Sequence, residues 1–214
     1  MSAHAGGVVL WDVDTQVDFV LADGKLAVPG AEAVLPAMAQ LVRWAAEHGL
    51  RHVASADDHE YGDPEISLSP DFQDTYPPHC LRGTRGATKV IETERRDPLP
   101  LAQTAYPPGA VARLVDGRRE ILLLKKTFDV FTNPNAEKVL DHLQPDRVIV
   151  FGVATDVCDD AAIRGLRRRG YAVTWVEDAS RGLDEARVER CRADWRELDV
   201  EVATVDDVLR TAAV

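Results

Sequence analysis

Asp14, Lys125 and Cys158 offer a carboxylate, an amine and a thiol, a set that could break an amide bond. The thiolate, not the thiol, is the nucleophile, so the cysteine needs a base or a cation beside it near neutral pH. Asp14 can take the thiol proton and later give it to a leaving amine. Lys125 can hold the pair in position and favour charged forms. Attack on a carboxamide carbon makes a tetrahedral oxyanion, for which the backbone N–H groups of Ala154 and Cys158 are the expected donors. Histidine is not needed in this scheme. The plainer alternatives are a buried structural cysteine and an Asp14–Lys125 salt bridge across a sheet rim.

A second cluster, Asp57-Asp58-His59 followed by Glu65 and then His79, carries ligand types for Zn²⁺, Mn²⁺ or Fe²⁺. Asp57 and His59 at i, i+2 can converge from a loop. The competing reading is an ordinary surface loop rich in Asp and His.

The elements that must bring these residues together are legible as short β-branched runs. Val8–Trp11, His52–Ala56, Ile121–Leu124, Arg147–Phe151, Tyr171–Val176 and Val200–Val202 read as strands. Between them, residues 31 to 48 place Val34, Met38, Leu41 and Ala45 at helical spacing, with Gly49 closing the end. Residues 134 to 143 form a helix with Val139, Leu140 and Leu143 apolar, and a last helix puts Val188, Cys191, Trp195 and Leu198 on one face. From Cys158 to Gly170 another helix is expected, with Ala162 and Leu166 on the face of Cys158 and Thr155 or Asp156 as N-cap. That places Cys158 in a first turn whose unpaired N–H groups and dipole favour a thiolate. Residues 60 to 118, rich in Pro, Gly and Asp, read as an irregular excursion that walls a site; within it Val111 to Val115 is helical or leads into a hairpin at Asp116-Gly117.

Strands alternating with helices predict an α/β fold: three layers, a doubly wound, mainly parallel sheet flanked by helices, in one domain over residues 1–214. Right-handed crossovers put every C-terminal strand end on one rim, where ligands bind. Asp14, Asp57, Lys125 and Cys158 each follow a separate strand, so all four gather there.

The formal charge of −11 over 214 residues, without a basic arm, argues against nucleic acid or an anionic membrane as partner. The cluster Arg164, Arg167, Arg168 and Arg169 reads as a solvated helix face. Three scattered cysteines make no disulfide framework, and Cys80 and Cys191 read as structural. Residues 1 to 7 lack the apolar core of a signal peptide and no run is long enough to span a membrane, so a cytoplasmic protein is expected. Without a Gly-x-Gly-x-x-Gly after any strand, no nucleotide cofactor is expected.

Several stretches together resemble the isochorismatase-like cysteine hydrolases, and within them the nicotinamidase branch. Asp14-x-Gln16-x-Asp18-Phe19 resembles the first motif of that family, whose leading Asp is the catalytic acid/base; Lys125-x-x-x-Asp129-x-Phe131 resembles the lysine motif; and Gly152-Val-Ala154-Thr155-Asp156-x-Cys158 resembles the nucleophile motif. Pro77-Pro78-His79-Cys80-x-x-Gly83-Thr84-x-Gly86 resembles the loop that flanks the metal site, and Asp178-Ala-Ser180 a later element. The resemblance implies a cis peptide between Val153 and Ala154, a homo-oligomer, and a divalent metal (Zn, Mn or Fe) that meets the ring nitrogen of a nicotinamide-like substrate. Glu65 stands near the place of a second histidine in the metal loop, so Asp57, His59 and Glu65 are the ligands it implies. Tyr76 stands where Trp is common and Val157 precedes the nucleophile, so pocket size and polarity differ from the family pattern. Phe19, Tyr76 and Phe131 are the expected pocket walls for a planar ring.

The expected activity is hydrolysis of a small carboxamide through a thioester at Cys158, with ammonia released. Hydrolysis of an N-carbamoyl or ureido compound uses the same residues. Two other classes compete. Asp12-Val-Asp14 is similar to the Asp-x-Asp motif of haloacid dehalogenase-like phosphatases, with Mg²⁺ at Asp159-Asp160, although Gln16 breaks that pattern. The other is a non-catalytic α/β binding module.

Overall fold

A computed structural model describes residues 7–211. The strands are β1 (Val8–Val13), β2 (Arg51–Asp57), β3 (Leu99–Leu101), β4 (Glu120–Lys125), β5 (Arg147–Gly152), β6 (Ala172–Val176) and β7 (Glu201–Ala203). They form one sheet in the order β3-β4-β2-β1-β5-β6-β7, and every pairing is parallel. The helices are α1 (Val17–Val20), α2 (Leu35–Glu47), α3 (Ala110–Val115), α4 (Ala136–Leu143), α5 (Asp160–Arg168), α6 (Glu185–Glu197) and α7 (Val205–Thr211).

Alternation along β1 explains the three layers. Val9, Trp11 and Val13 point to one face, where they pack with Val111 and Val115 of α3, Val139 and Leu140 of α4, Ile163 and Leu166 of α5 and Trp195 of α6. Leu10 points to the other face, among Met38, Leu41 and Ala45 of α2 and Val208 of α7. A parallel sheet covered on both faces carries continuous apolar strands, and each fully buried large side chain contributes about 1.5–3 kcal/mol. The strand order reverses at β1 and β5: β1 leads to β2 on one side, and β5 to β6 on the other. The crevice outside their C-terminal ends is the switch point at which open α/β sheets bind ligands.

Two expectations need correction, and one open alternative is resolved. The excursion holds a strand, β3, which pairs with β4 at the sheet edge. Its Pro100 lacks a ladder donor and is tolerated there because the strand has a neighbour on one side only. The stretch Val111–Val115 is helical, as part of α3, and α7 adds a helix after the last strand. The segment after β5 does not enter an α-helix directly. Thr155–Asp159 forms a π-turn capped by neither Thr155 nor Asp156, and α5 starts only at Asp160. Asp156 instead accepts the N–H of Leu183 at 2.7 Å.

Candidate active site

Asp14 ends β1 in a left-handed backbone conformation, φ 48°. That conformation costs an L-residue of the order of 1–2 kcal/mol, and its carboxylate is met by two donors. Lys125 Nζ, at the end of β4, lies 2.8 Å from Asp14 Oδ2, and the Ser55 hydroxyl donates to Asp14 Oδ1 at 2.6 Å. The same amine reaches Asp57 Oδ1 at 2.5 Å. Asp57 faces Lys125 in the β2/β4 register, so the sheet itself sets this bridge. Asp14 and Lys125 are both shut off from solvent.

One cation serving two acids splits their behaviour. Burial pushes Asp14 above the usual carboxylate range, the Asp57 charge adds to the rise, and Lys125 opposes it. Burial acts on Asp57 too, but the Lys125 charge and contacts from His59 and His79 hold it below that range. Burial alone would lower Lys125; Asp14 and Asp57 instead raise it well above its ordinary value.

Cys158 sits in the π-turn and is 8% exposed, at the wall of a small cavity. Burial pushes its thiol well up, Lys125 opposes, and Asp14 adds to the rise. Cys158 thus lies ahead of the α5 start and not in its first turn, and burial and Asp14 work against the thiolate that Lys125 favours. The Val153–Ala154 peptide is cis. Among the described residues, the Ala154 N–H has no backbone acceptor, whereas the Thr155 N–H is tied to Arg181 O at 2.8 Å.

The cavity lining mixes apolar Phe19, Tyr76, Phe128, Val157 and Leu183 with polar Asp57, Glu65 and His79. The Phe19 and Tyr76 rings lie 5.2 and 6.3 Å from that of His79, between ring centroids. Phe19 and Tyr76 thus line this cavity. Phe131 does not. It packs on Trp11 at 6.3 Å between ring centroids, with the Arg169 guanidinium 3.9 Å over its own, on the far face of the sheet. The turn of Val130–Thr132, with the Phe131 N–H held by Asp129 Oδ1 at 2.9 Å, directs that ring inward and leaves Phe128 at the cavity.

Ligand atoms of Asp57, His59 and His79 lie within 4.8 Å of one another, all three residues buried. Glu65 stands beside them, its Oε2 3.8 Å from His59 Nε2. The expected set of Asp57, His59 and Glu65 is therefore corrected: His79, not Glu65, completes the group with Asp57 and His59, because the loop bridge of His59 to Leu81 brings His79 in, and Glu65 lies next to it. Each imidazole is oriented through its other nitrogen: His79 Nδ1 meets Pro77 O at 2.7 Å, and His59 Nδ1 meets Asp63 Oδ2 at 3.4 Å. His59 Nε2 and Glu65 Oε2 are buried without a hydrogen-bond partner. Such orphans point at a missing ion, and two imidazoles with two carboxylates suit a divalent metal. Burial and the neighbouring Asp57 push Glu65 up to about 6.

Three residues gain roles that sequence alone did not give. Gln16 uses its side-chain amide as a strand would: Nε2 donates to Asp57 O at 2.8 Å and Oε1 accepts the Asp57 N–H at 2.7 Å. It thereby extends the β1/β2 pairing past the point where β1 turns away. Asp18 accepts the Cys80 N–H at 2.7 Å, which anchors the loop next to His79. Ser55 meets Asp14, as described above. The polar residues at i+2 and i+4 from Asp14 were the available signal for the first two. The phosphatase-like reading finds no support. Asp159 points into the core, while Asp160 is held by Arg164 and by the Trp195 indole at 2.7 Å, so the two do not share a site. Asp12 is buried and tied to Lys89 at 3.0 Å.

Comparison with known proteins matches the isochorismatase domain over residues 8–207. The chain is 27% identical over 208 residues to a nicotinamidase/pyrazinamidase of Mycobacterium tuberculosis, covering 94% of each. It is 26% identical over 196 residues to a nicotinamidase of Escherichia coli, covering 80% of this chain and 82% of that one. Among solved structures, a pyrazinamidase of Pyrococcus horikoshii in complex with zinc superposes with a TM-score of 0.71 at 24% identity, over 92% of this chain and 98% of that one. The likeness spans the sheet, both helical layers and the crevice, and the chain belongs to the isochorismatase domain family.

Proposed function

We propose that the protein is a cysteine amidohydrolase acting on small, neutral, nicotinamide-like carboxamides. The observation that carries this reading is the placement of Lys125 Nζ between Asp14 and Asp57, at 2.8 and 2.5 Å, beside a cavity walled by Cys158. Asp14, raised above the usual carboxylate range by burial, is suited to take up a proton and return it. As Cys158 Sγ attacks the carboxamide carbon, its proton passes to Asp14. The carbonyl oxygen becomes an oxyanion, which the N–H groups of Ala154 and Cys158 receive. Asp14 then returns the proton to the departing nitrogen, the C–N bond breaks, and ammonia leaves. Water, deprotonated by Asp14, cleaves the thioester to the carboxylic acid and regenerates the thiol. Lys125 stays charged and fixes both carboxylates.

Asp57, His59 and His79, with Glu65 beside them, would hold a divalent metal at the cavity. When bound, such an ion supplies an electrophile for a heteroatom of the substrate ring. The apolar walls of Phe19, Tyr76 and Phe128 suit the ring itself. Among the described residues no Arg or Lys lines this cavity, while Asp57 and Glu65 do. An N-carbamoyl amino acid would need a side-chain cation for its carboxylate, and this lining offers none.

Ammonia release from nicotinamide, pyrazinamide and N-carbamoyl compounds, measured on wild type and Cys158→Ala, tests this reading. Turnover of the ring amides that vanishes in the variant is expected. Preference for a carboxylate-bearing carbamoyl compound would refute the substrate class, and undiminished turnover in the variant would refute the nucleophile.

A further inference from the structure

Asp14 Oδ2 faces the Lys125 ammonium as an ion pair, and the hydrogen-bond donor on Oδ1 comes from a residue outside every motif named above. Ser55 lies inside β2, fully buried, between Ala54 and Ala56. The hydroxyl at 55 has Asp14 Oδ1, at 2.6 Å, as its hydrogen-bond partner among the described residues. The strand holding it is itself fixed. Ser55 O accepts Lys89 Nζ at 3.0 Å, Lys89 also donates to Asp12 Oδ1 at 3.0 Å, and Asp12 accepts the Thr15 hydroxyl at 2.8 Å.

We infer that Ser55 is a positioning residue for the proton carrier Asp14, a role that rests on the amidohydrolase reading above. The outer torsion of an aspartate is broad, so rotation of the carboxylate is not locked by the side chain itself. Lys125 on Oδ2 alone leaves that rotation free. Ser55 on Oδ1 adds a second fixed point, and the plane of the carboxylate is then set toward the Cys158 thiol. The hydroxyl donates to Asp14 both when the acid is charged and, after the proton transfer, when it is neutral. It therefore fixes the orientation through the whole cycle without taking part in the chemistry.

Two readouts test this: kcat and KM on a turned-over ring amide, and the rate at which iodoacetamide alkylates Cys158 in the free protein, followed by peptide mass. A hydrogen bond to a charged group corresponds to about tenfold to a hundredfold in rate. Ser55→Ala is expected to lower kcat and the alkylation rate by such a factor, with KM within about twofold. Ser55→Thr, which keeps the hydroxyl, should recover most of that loss, and Ser55→Val, of the same shape without it, should not. An alanine variant with wild-type kcat and alkylation rate overturns the inference, as do Thr and Val variants that behave alike. Alkylation needs no substrate, so it still separates the Ser55 variants if Cys158→Ala disproves the amidohydrolase reading.

Discussion

Lys125 is a buried cation shared by two buried acids, and the consequences are specific. Its removal leaves Asp14 and Asp57 without their shared charge, and breaking a buried pair in this way costs about 3–5 kcal/mol. Lys125→Met should therefore lose activity and unfold at clearly lower denaturant; a variant as stable as wild type would mean that the acids are neutral in the folded protein. Glu65 makes a pH prediction. Its folded value of about 6 exceeds its ordinary 4.5, so the metal-free fold prefers it protonated. That contribution is complete below about 4.5 and is lost as pH rises through about 6, a difference of about 1–2 kcal/mol. After chelation, Glu65→Gln should be more stable than wild type at pH 8 and equal to it near pH 4. Equal stability at both would place Glu65 in contact with a cation or water that offsets its burial.

At the scale of elements, the rim works because the ends of β1 and β5 come close. Gly152 closes β5 at φ 142°, and a Cβ there would stand 2.1 Å from Val13 O. Gly152→Ala should displace the turn that carries Cys158 and destabilise the protein by more than about 2 kcal/mol, read by denaturant titration; a neutral effect would show that β1 can move away. The sequence revealed these strand ends well, because Asp14, Asp57 and Lys125 each follow a β-branched or apolar run closely. It revealed less where geometry depends on partners far along the chain. Leu99–Leu101 is too short and contains a proline, so only β4 makes it a strand. The π-turn at Cys158 has no signature in residue type. Phe128 and Phe131 are equally aromatic, and the turn between them, not their identity, decides which reaches the cavity. His79 stands twenty residues beyond His59, and their meeting depends on a bridge of His59 to Leu81 that no local pattern announces.

Taken as a whole, the described residues form one seven-stranded parallel sheet with the candidate site at its crevice, and no described helix is long and apolar enough to cross a membrane. A metal bound by the buried Asp57, His59 and His79 group should stabilise the entire fold by mass action, about 2.7 kcal/mol at a hundredfold excess over Kd. Titrating Zn²⁺, Mn²⁺ or Fe²⁺ into chelated protein should raise Tm with concentration, and His79→Ala should suppress the rise; a Tm indifferent to all three ions would contradict the metal site. The central claim is covalent catalysis at Cys158. Rapid acid quench of the enzyme turning over nicotinamide or pyrazinamide, followed by peptide mass analysis, tests it most directly. The account predicts an acyl group of the substrate on the peptide carrying Cys158, absent from Cys158→Ala, which releases no ammonia. Wild-type ammonia release from Cys158→Ala, with no acylated peptide in either protein, would contradict it.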